Sequence, residues 1–219
     1  MKEMSPLSHL RRWVCLQSSV LLVVSIAGLA DPSPSPSVIK VLPGFEVSIA
    51  AASPLVDYPM MACLDDRGRL YIAESDGRNL TTREEIEKER PRFVRRLVDQ
   101  DGDGVYDTST IFADEMTMPE GGLWHQGALY IISAPYLWRL EDLDDDGVAD
   151  KREKILGSME FDGRANQHGP YLGPNGRLYF TGGHFGYDLI GSDGSRSGVS
   201  RAAGVFSCWP DGRDVRVEG

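Results

Sequence analysis

One phrase is written three times in this chain: GRLYIAES at 68–75, GALYIISAP at 127–135 and GRLYFTGG at 176–183. Each is a turn glycine followed by a short β-rich run, which reads as a tight turn entering a strand. After each comes a second apolar run: RFVRRLVD at 92–99, YLWRLED at 136–142 and GVFSCWPDG at 204–212. The first two lead into Asp-rich loops that start 43 residues apart, at Asp99 and Asp142. Units of four strands repeating every ~40–45 residues are the signature of propeller blades. The fold class this implies is all-β, a partial β-propeller over residues 40–219.

The period places four strands in each of three blades. They fall at 60–64, 70–74, 93–98 and 109–113; at 121–125, 129–133, 137–141 and 153–157; and at 171–173, 178–181, 205–209 and 214–217. An extra strand is expected at 45–50, left over as the partner of a missing last blade, so the chain reads as half of a six-bladed ring. A C-terminal remainder or a second chain would complete it. Helical periodicity is confined to TTREEIEKERPRF, a charged insertion between two strands of the first blade.

The N-terminus follows different rules. Lys2, Arg11 and Arg12 precede the uncharged run WVCLQSSVLLVVSIAGLA, which ends in small residues. That is the layout of a secretory signal over 1–30, followed by a Pro/Ser linker over 31–39. The expected location is outside the cytoplasm, periplasm or cell surface. Residues 13–30 are also just long enough to span a bilayer, and contact with a membrane follows only if this segment is retained. A formal net charge of −10 argues against nucleic acid and anionic lipid surfaces as partners. Cys63 and Cys208 remain after cleavage, able to pair in an oxidising compartment or to sit unpaired in apolar strands. The sequence holds no Cys-x-x-Cys-His, hence no attachment site for haem c.

The loop DLDDDGVADKRE carries acids at positions 1, 3, 5, 9 and 12, which are Asp142, Asp144, Asp146, Asp150 and Glu153, with Gly147 at the sixth. This is the D-x-D-x-D-G-x₅-E calcium pattern: alternate carboxylates converge when the backbone wraps, and glycine permits the turn. The loop at 99–107 repeats it with Asp99, Asp101, Asp103, Gly104 and Asp107, but Thr110 stands at the twelfth position. Weaker binding is expected there. The bland alternative is a pair of Asp/Gly-rich surface turns. Because the flanks are strands, the expected role of Ca²⁺ is structural.

Blade turns alternate between two ends. The calcium loops share one; the other carries the long connections with His168 and His184. His168, preceded by Asn166 and Gln167, opens an inner strand, and histidine is the natural base near neutral pH. The bland alternative is a histidine that bonds its own loop.

ANQHGPYLGPNGRLYFTGGHFG at 165–186 resembles a segment of the glucose/sorbosone dehydrogenase propellers. PGFEVSIAAASPLVDYPMMACLDDRGRLYIAES and LVDQDGDGVYDTSTIFADEMTMPEGGLW are more similar to large exported proteins of planctomycete-type bacteria, described as membrane-bound dehydrogenases. The resemblance covers roughly residues 40–217 and lies in the order of the motifs. It implies a sugar or alcohol oxidoreductase with pyrroloquinoline quinone as cofactor and His168 as the base that takes the hydroxyl proton. Asn166, Gln167 and His184 would then lie beside the cofactor. The Arg and Lys residues that hold the cofactor in that family belong to later blades. The competing reading is a non-catalytic, calcium-stiffened propeller that binds glycan or protein.

Overall fold

The structure, a computed structural model, describes residues 39–90, 92–162 and 167–219. The expected signal and nearly all of the linker, and Asn166, fall outside the described residues. No described helix is long and apolar enough to cross a membrane.

The chain from residue 39 onward is all-β, built as several antiparallel sheets with no closed barrel. The first sheet pairs β1 (Pro59–Leu64), β2 (Leu70–Ser75), β3 (Arg92–Val98) and β4 (Thr108–Met116) in sequence order. The second takes β5 (Leu123–His125), β6 (Ala128–Ser133), β7 (Tyr136–Glu141) and β8 (Lys151–Met159) in the same order. The third is formed by β9 (His168–Leu172), β10 (Leu178–Gly182), β13 (Gly204–Cys208) and β14 (Arg216–Val217). Between β10 and β13 the chain leaves the third sheet. It forms a hairpin, β11 (Tyr187–Ile190) and β12 (Arg196–Ser200), whose first strand pairs with the outer edge of β8. The middle sheet therefore has six strands.

The strand period decides how these sheets stack. Every residue of β6 is buried. Its alternating side chains go to two different cores. Leu129 and Ile131 join Tyr71, Ala73, Val94 and Phe112 of the first sheet. Ala128, Tyr130 and Ile132 join Leu178, Phe180 and Phe206 of the third. The second sheet is thus covered on both faces, and each buried aliphatic side chain contributes about 1.5–3 kcal/mol. The far face of the first sheet, with Ile72 and Leu97, is covered by Val56, Ala51, Leu55 and Tyr106.

Two expectations need correcting. Residues 45–50 form no strand: their β-rich composition finds no ladder partner among the described residues, and Ala50 only accepts a hydrogen bond from the Tyr106 N–H at 2.8 Å. The connection at 183–203, expected as an open loop, contains the β11–β12 hairpin. The helical insertion is present as α1 (Arg83–Glu89), opened by a capping box between Thr82 and Glu85. Its Ile86 is fully buried against Met118, Ala134 and Phe161.

Candidate functional site

Antiparallel pairing fixes which connections share an end. The two Asp loops join β3 to β4 and β7 to β8, so both lie at one end of their sheets. The end of β8, the start of β9 and the segment 117–122 that enters β5 lie at the opposite end. His168 is thus on the end away from Asp142.

In the first Asp loop, carboxylate oxygens of Asp99, Asp101 and Asp107 come within 4.8 Å of one another. Asp99 accepts from the N–H groups of Gly104 at 2.9 Å and Gly102 at 2.7 Å. These donors, that of Gly104 first, hold its carboxyl below the usual carboxylate range. Asp103 accepts from Val105 N–H and Asp107 from Gln100 N–H, both at 2.7 Å.

In the second, Asp142, Asp144 and Asp146 gather in the same way. Asp142 accepts from Gly147 N–H at 3.0 Å, and Asp150 from Leu143 N–H at 2.7 Å. The Asp142 side chain is only 4% exposed. One of its oxygens accepts from Arg96 Nη1 at 2.8 Å, while the other is buried with no hydrogen-bond partner. A buried carboxylate oxygen without a donor is expensive unless something cationic meets it.

Glu153 does not join this group. It lies on β8 opposite Arg139, 3.9 Å from that guanidinium and 3.5 Å from Lys151 Nζ. The ground for ranking the second loop above the first is therefore lost.

The second loop has a different distinction. Asp145, at its fourth position, stands at φ 64°, where the first loop has Gly102 at φ 79°. This carboxylate meets three guanidiniums: Arg67 at 2.9 Å, Arg69 closer still, and Arg96 at 3.5 Å. Arg69 is the main cause of its lowered pKa. Gly147 is pressed against Arg96: a Cβ there would lie 2.4 Å from Nη2. Thr110, the odd residue at position 12 of the first loop, donates to Gly147 O at 3.3 Å. The second loop is bolted to the first sheet.

At the opposite end, His168 is exposed and its Nδ1 lies 3.8 Å from Glu120 Oε2. The approach depends on two glycines. A Cβ on Gly121, at φ 105°, would stand 2.3 Å from Gly169 O. Gln167 is buried, donates to Glu160 O at 2.7 Å, and leaves its own side-chain oxygen without a partner. Arg92, 7% exposed, donates to Thr117 O at 2.9 Å. Burial pulls its pKa down and Glu120 works against that shift. His184 follows β10, whose Thr181 pairs with His168, so it lies at the same end of the third sheet, exposed and with its ring 4.0 Å from that of Phe185. The two cysteines are unpaired, Cys208 buried and Cys63 half-buried, in different sheets.

With this geometry in view, the comparison with known families is specific. The profile of a family described as Domain of unknown function (DUF7133) matches residues 31–218. The chain belongs to this family. The match spans both Asp loops and the His168 end, so the two sets of residues are parts of one family domain. No curated protein matches the chain.

Sequence reasoning missed the two partners that give these sites their character. Glu120 carried no motif. The arginines that hold Asp145 were visible only as charges: Arg67 and Arg69 flank a turn glycine, and Arg96 is one of three arginines in β3.

Proposed function

We propose that this chain is an exported, calcium-binding β-propeller portion, with the first, second and third sheets as successive blades. The observation that carries the calcium reading is the buried, donorless oxygen of Asp142 beside the carboxylates of Asp144 and Asp146. A hard dication takes 6–8 oxygen ligands and would satisfy that oxygen together with its neighbours. Asp142, Asp144 and Asp146 would hold one ion, and Asp99, Asp101 and Asp107 another. The propeller reading rests on three antiparallel sheets packed through two cores, each with a four-strand set (β1–β4, β5–β8, and β9, β10, β13 and β14), the middle one extended by the β11–β12 hairpin.

Calcium that binds only the folded state adds RT ln(1 + [L]/Kd), about 2.7 kcal/mol at a hundredfold excess over Kd. Calorimetric titration of chelator-stripped protein should give two sites, and melting should rise on adding calcium. No heat of binding, with an unchanged midpoint, would overturn this reading.

The His168 end supports a second reading, an oxidoreductase acting on a sugar-like alcohol. Here Nδ1 of His168 faces Glu120 and the exposed ring leaves Nε2 to take a proton. A well-placed base contributes ~10²–10⁴ in rate. Arg92, the cation that acts on Glu120, is buried and donates to Thr117 O, so it offers no exposed grip for a polyanionic quinone. No step is derived through that cofactor. His168→Ala in an active family member should lower turnover by about 10²–10⁴-fold; wild-type turnover in the variant would leave the non-catalytic binding module as the reading.

A further inference from the structure

A cavity of about 480 Å³ opens between the second and third sheets, at the Asp-loop end and so away from His168. Pockets that hold small molecules run ~300–1,000 Å³. One wall is a row of cross-strand neighbours on a single face of the second sheet: Tyr130 pairs with Arg139, and Arg139 with Glu153. The facing wall is Trp209, at the turn between β13 and β14. This turn occupies the place that the Asp loops take in the other two sheets.

The indole is held before any ligand arrives. The Arg177 guanidinium lies 5.0 Å from its ring centre, and Arg177 is itself 2% exposed and fixed by Ser207 and Asp214. The Trp209 side has 36% of its surface open. The turn is clamped from outside as well. Ser192 N–H donates to Gly212 O at 3.1 Å, and Ser192 Oγ to Asp211 O at 2.8 Å. A Cβ on Gly212 would stand 2.6 Å from Ile155 Cγ2, so the turn sits directly on β8. The strap formed by β11 and β12 thus has a local consequence: it fixes an aromatic plate over a polar row.

The charges in the cavity cancel. Among the lining residues, Arg139 and Arg213 stand against Glu153 and Asp211: Arg139 is ion-paired with Glu141, donates to the Tyr130 hydroxyl at 3.1 Å and has Glu153 3.9 Å away; Arg213 is 2.6 Å from Asp211. A charged ligand would gain one partner and face the like charge of the other. A hydroxyl both donates and accepts, so a polyol can satisfy carboxylate and guanidinium at once. A rigid ring with one apolar face suits the indole, and rigidity lowers the ordering cost. We infer that this cavity is a subsite for a neutral saccharide ring, stacked on Trp209 and hydrogen-bonded by Arg139 and Glu153.

The test is isothermal titration of the full chain, in calcium, with cellobiose, maltose and N,N′-diacetylchitobiose, each against sorbitol, glucuronic acid and glucosamine. At least one neutral disaccharide should bind with Kd at or below about 1 mM, and the three comparators should bind at least about tenfold more weakly. Trp209→Ala should weaken binding about tenfold or more, and Trp209→Phe should keep most of it, because a phenyl ring retains the flat apolar face. Glu153→Gln, at an exposed position that leaves the fold intact, should cost several-fold. No saturable binding of any disaccharide, tighter binding of a charged comparator, or unchanged affinity in folded Trp209→Ala and Glu153→Gln would overturn the assignment.

Discussion

Removing Arg96 tests how the second Asp loop is held and whether a cation belongs there. Arg96 and Asp142 face each other at 2.8 Å with side chains 8% and 4% exposed. At an effective dielectric of ~20, that separation corresponds to roughly 6 kcal/mol of attraction. Desolvation of both groups takes back much of it, but removing one partner strands the other, which costs about 3–5 kcal/mol. Arg96→Met keeps an apolar stem of similar length and deletes the guanidinium that lies against Gly147 and Asp142. In chelator, the variant should lose those 3–5 kcal/mol, which for a chain of this size is about 6–20 °C in Tm. In calcium, the ion takes over the neutralisation of Asp142 and the loss should fall to less than half. Thermal melts of wild type and variant, each with EGTA and with calcium, give the four values. A loss that is the same in both conditions would show that Asp142 does not face a cation. A loss below about 1 kcal/mol in chelator would show that the ion pair does not hold the loop.

Three further outcomes follow from the same coordinates. Burial pushes the Cys63 thiol up to about 11 and the Cys208 thiol up to about 12, so both stay protonated in the fold. Their pKa values are raised above the unfolded ~8.5, so the stability they contribute is intact below that pH and lost as pH climbs towards 11–12. Alkylation mapped by mass spectrometry at pH 8 should label both only on unfolding, and rapid native labelling of Cys208 would contradict its burial. Gly121→Ala should cost more than about 2 kcal/mol by urea unfolding, because its φ of 105° and the Gly169 carbonyl both exclude a Cβ; a neutral result would mean that this close approach is absent. Thr82→Ala should cost about 1 kcal/mol through the lost capping box, read in the same assay, and leave calcium binding unchanged.

The sheets were legible because a turn glycine and a short apolar run recur three times; a strand buried on both faces shows no alternation of its own, and the repeat supplies the signal. In β6, Leu129 and Ile131 go one way and Tyr130 and Ile132 the other, and the apolar run announces both. The hairpin of β11 and β12 was harder to see. Its strands are only four and five residues long and β12 is polar, although the turn Gly191–Ser195, with Gly194 at φ 82°, is a recognisable hairpin signal. Glu153 was misplaced for a geometric reason. The twelve-residue calcium pattern presumes an exit helix that bends position 12 back to the ion. Here β8 begins at Lys151, and an extended chain advances ~3.3 Å per residue. The carboxylate is carried along the sheet to Arg139. His168 was legible as a candidate, whereas Glu120 was not, because the two come together only through the stacking of the second and third sheets.

The two Asp loops show how one pattern serves different contacts. Their ligand positions match, as do the glycine and valine at the sixth and seventh, but the second, fourth and eighth residues differ. In the second loop, Asp145 takes the left-handed fourth position and collects Arg67, Arg69 and Arg96 from the first sheet, while Ala149 N–H donates to Phe112 O at 2.8 Å. In the first loop, glycine holds the fourth position, and the contact is made by Tyr106. Its N–H reaches Ala50 O at 2.8 Å and its hydroxyl Gly68 O at 3.2 Å, so this loop pins the segment before β1 instead of a neighbouring sheet. The arginine clamp already neutralises part of the second loop, and the first carries no such cation on Asp99, Asp101 or Asp107 among the described pairs. Electrostatics therefore favour the first loop for the ion, and the buried oxygen of Asp142 favours the second. Asp101→Asn and Asp144→Asn separate the two, since each variant should remove one of the two calorimetric sites and leave the other at its original affinity.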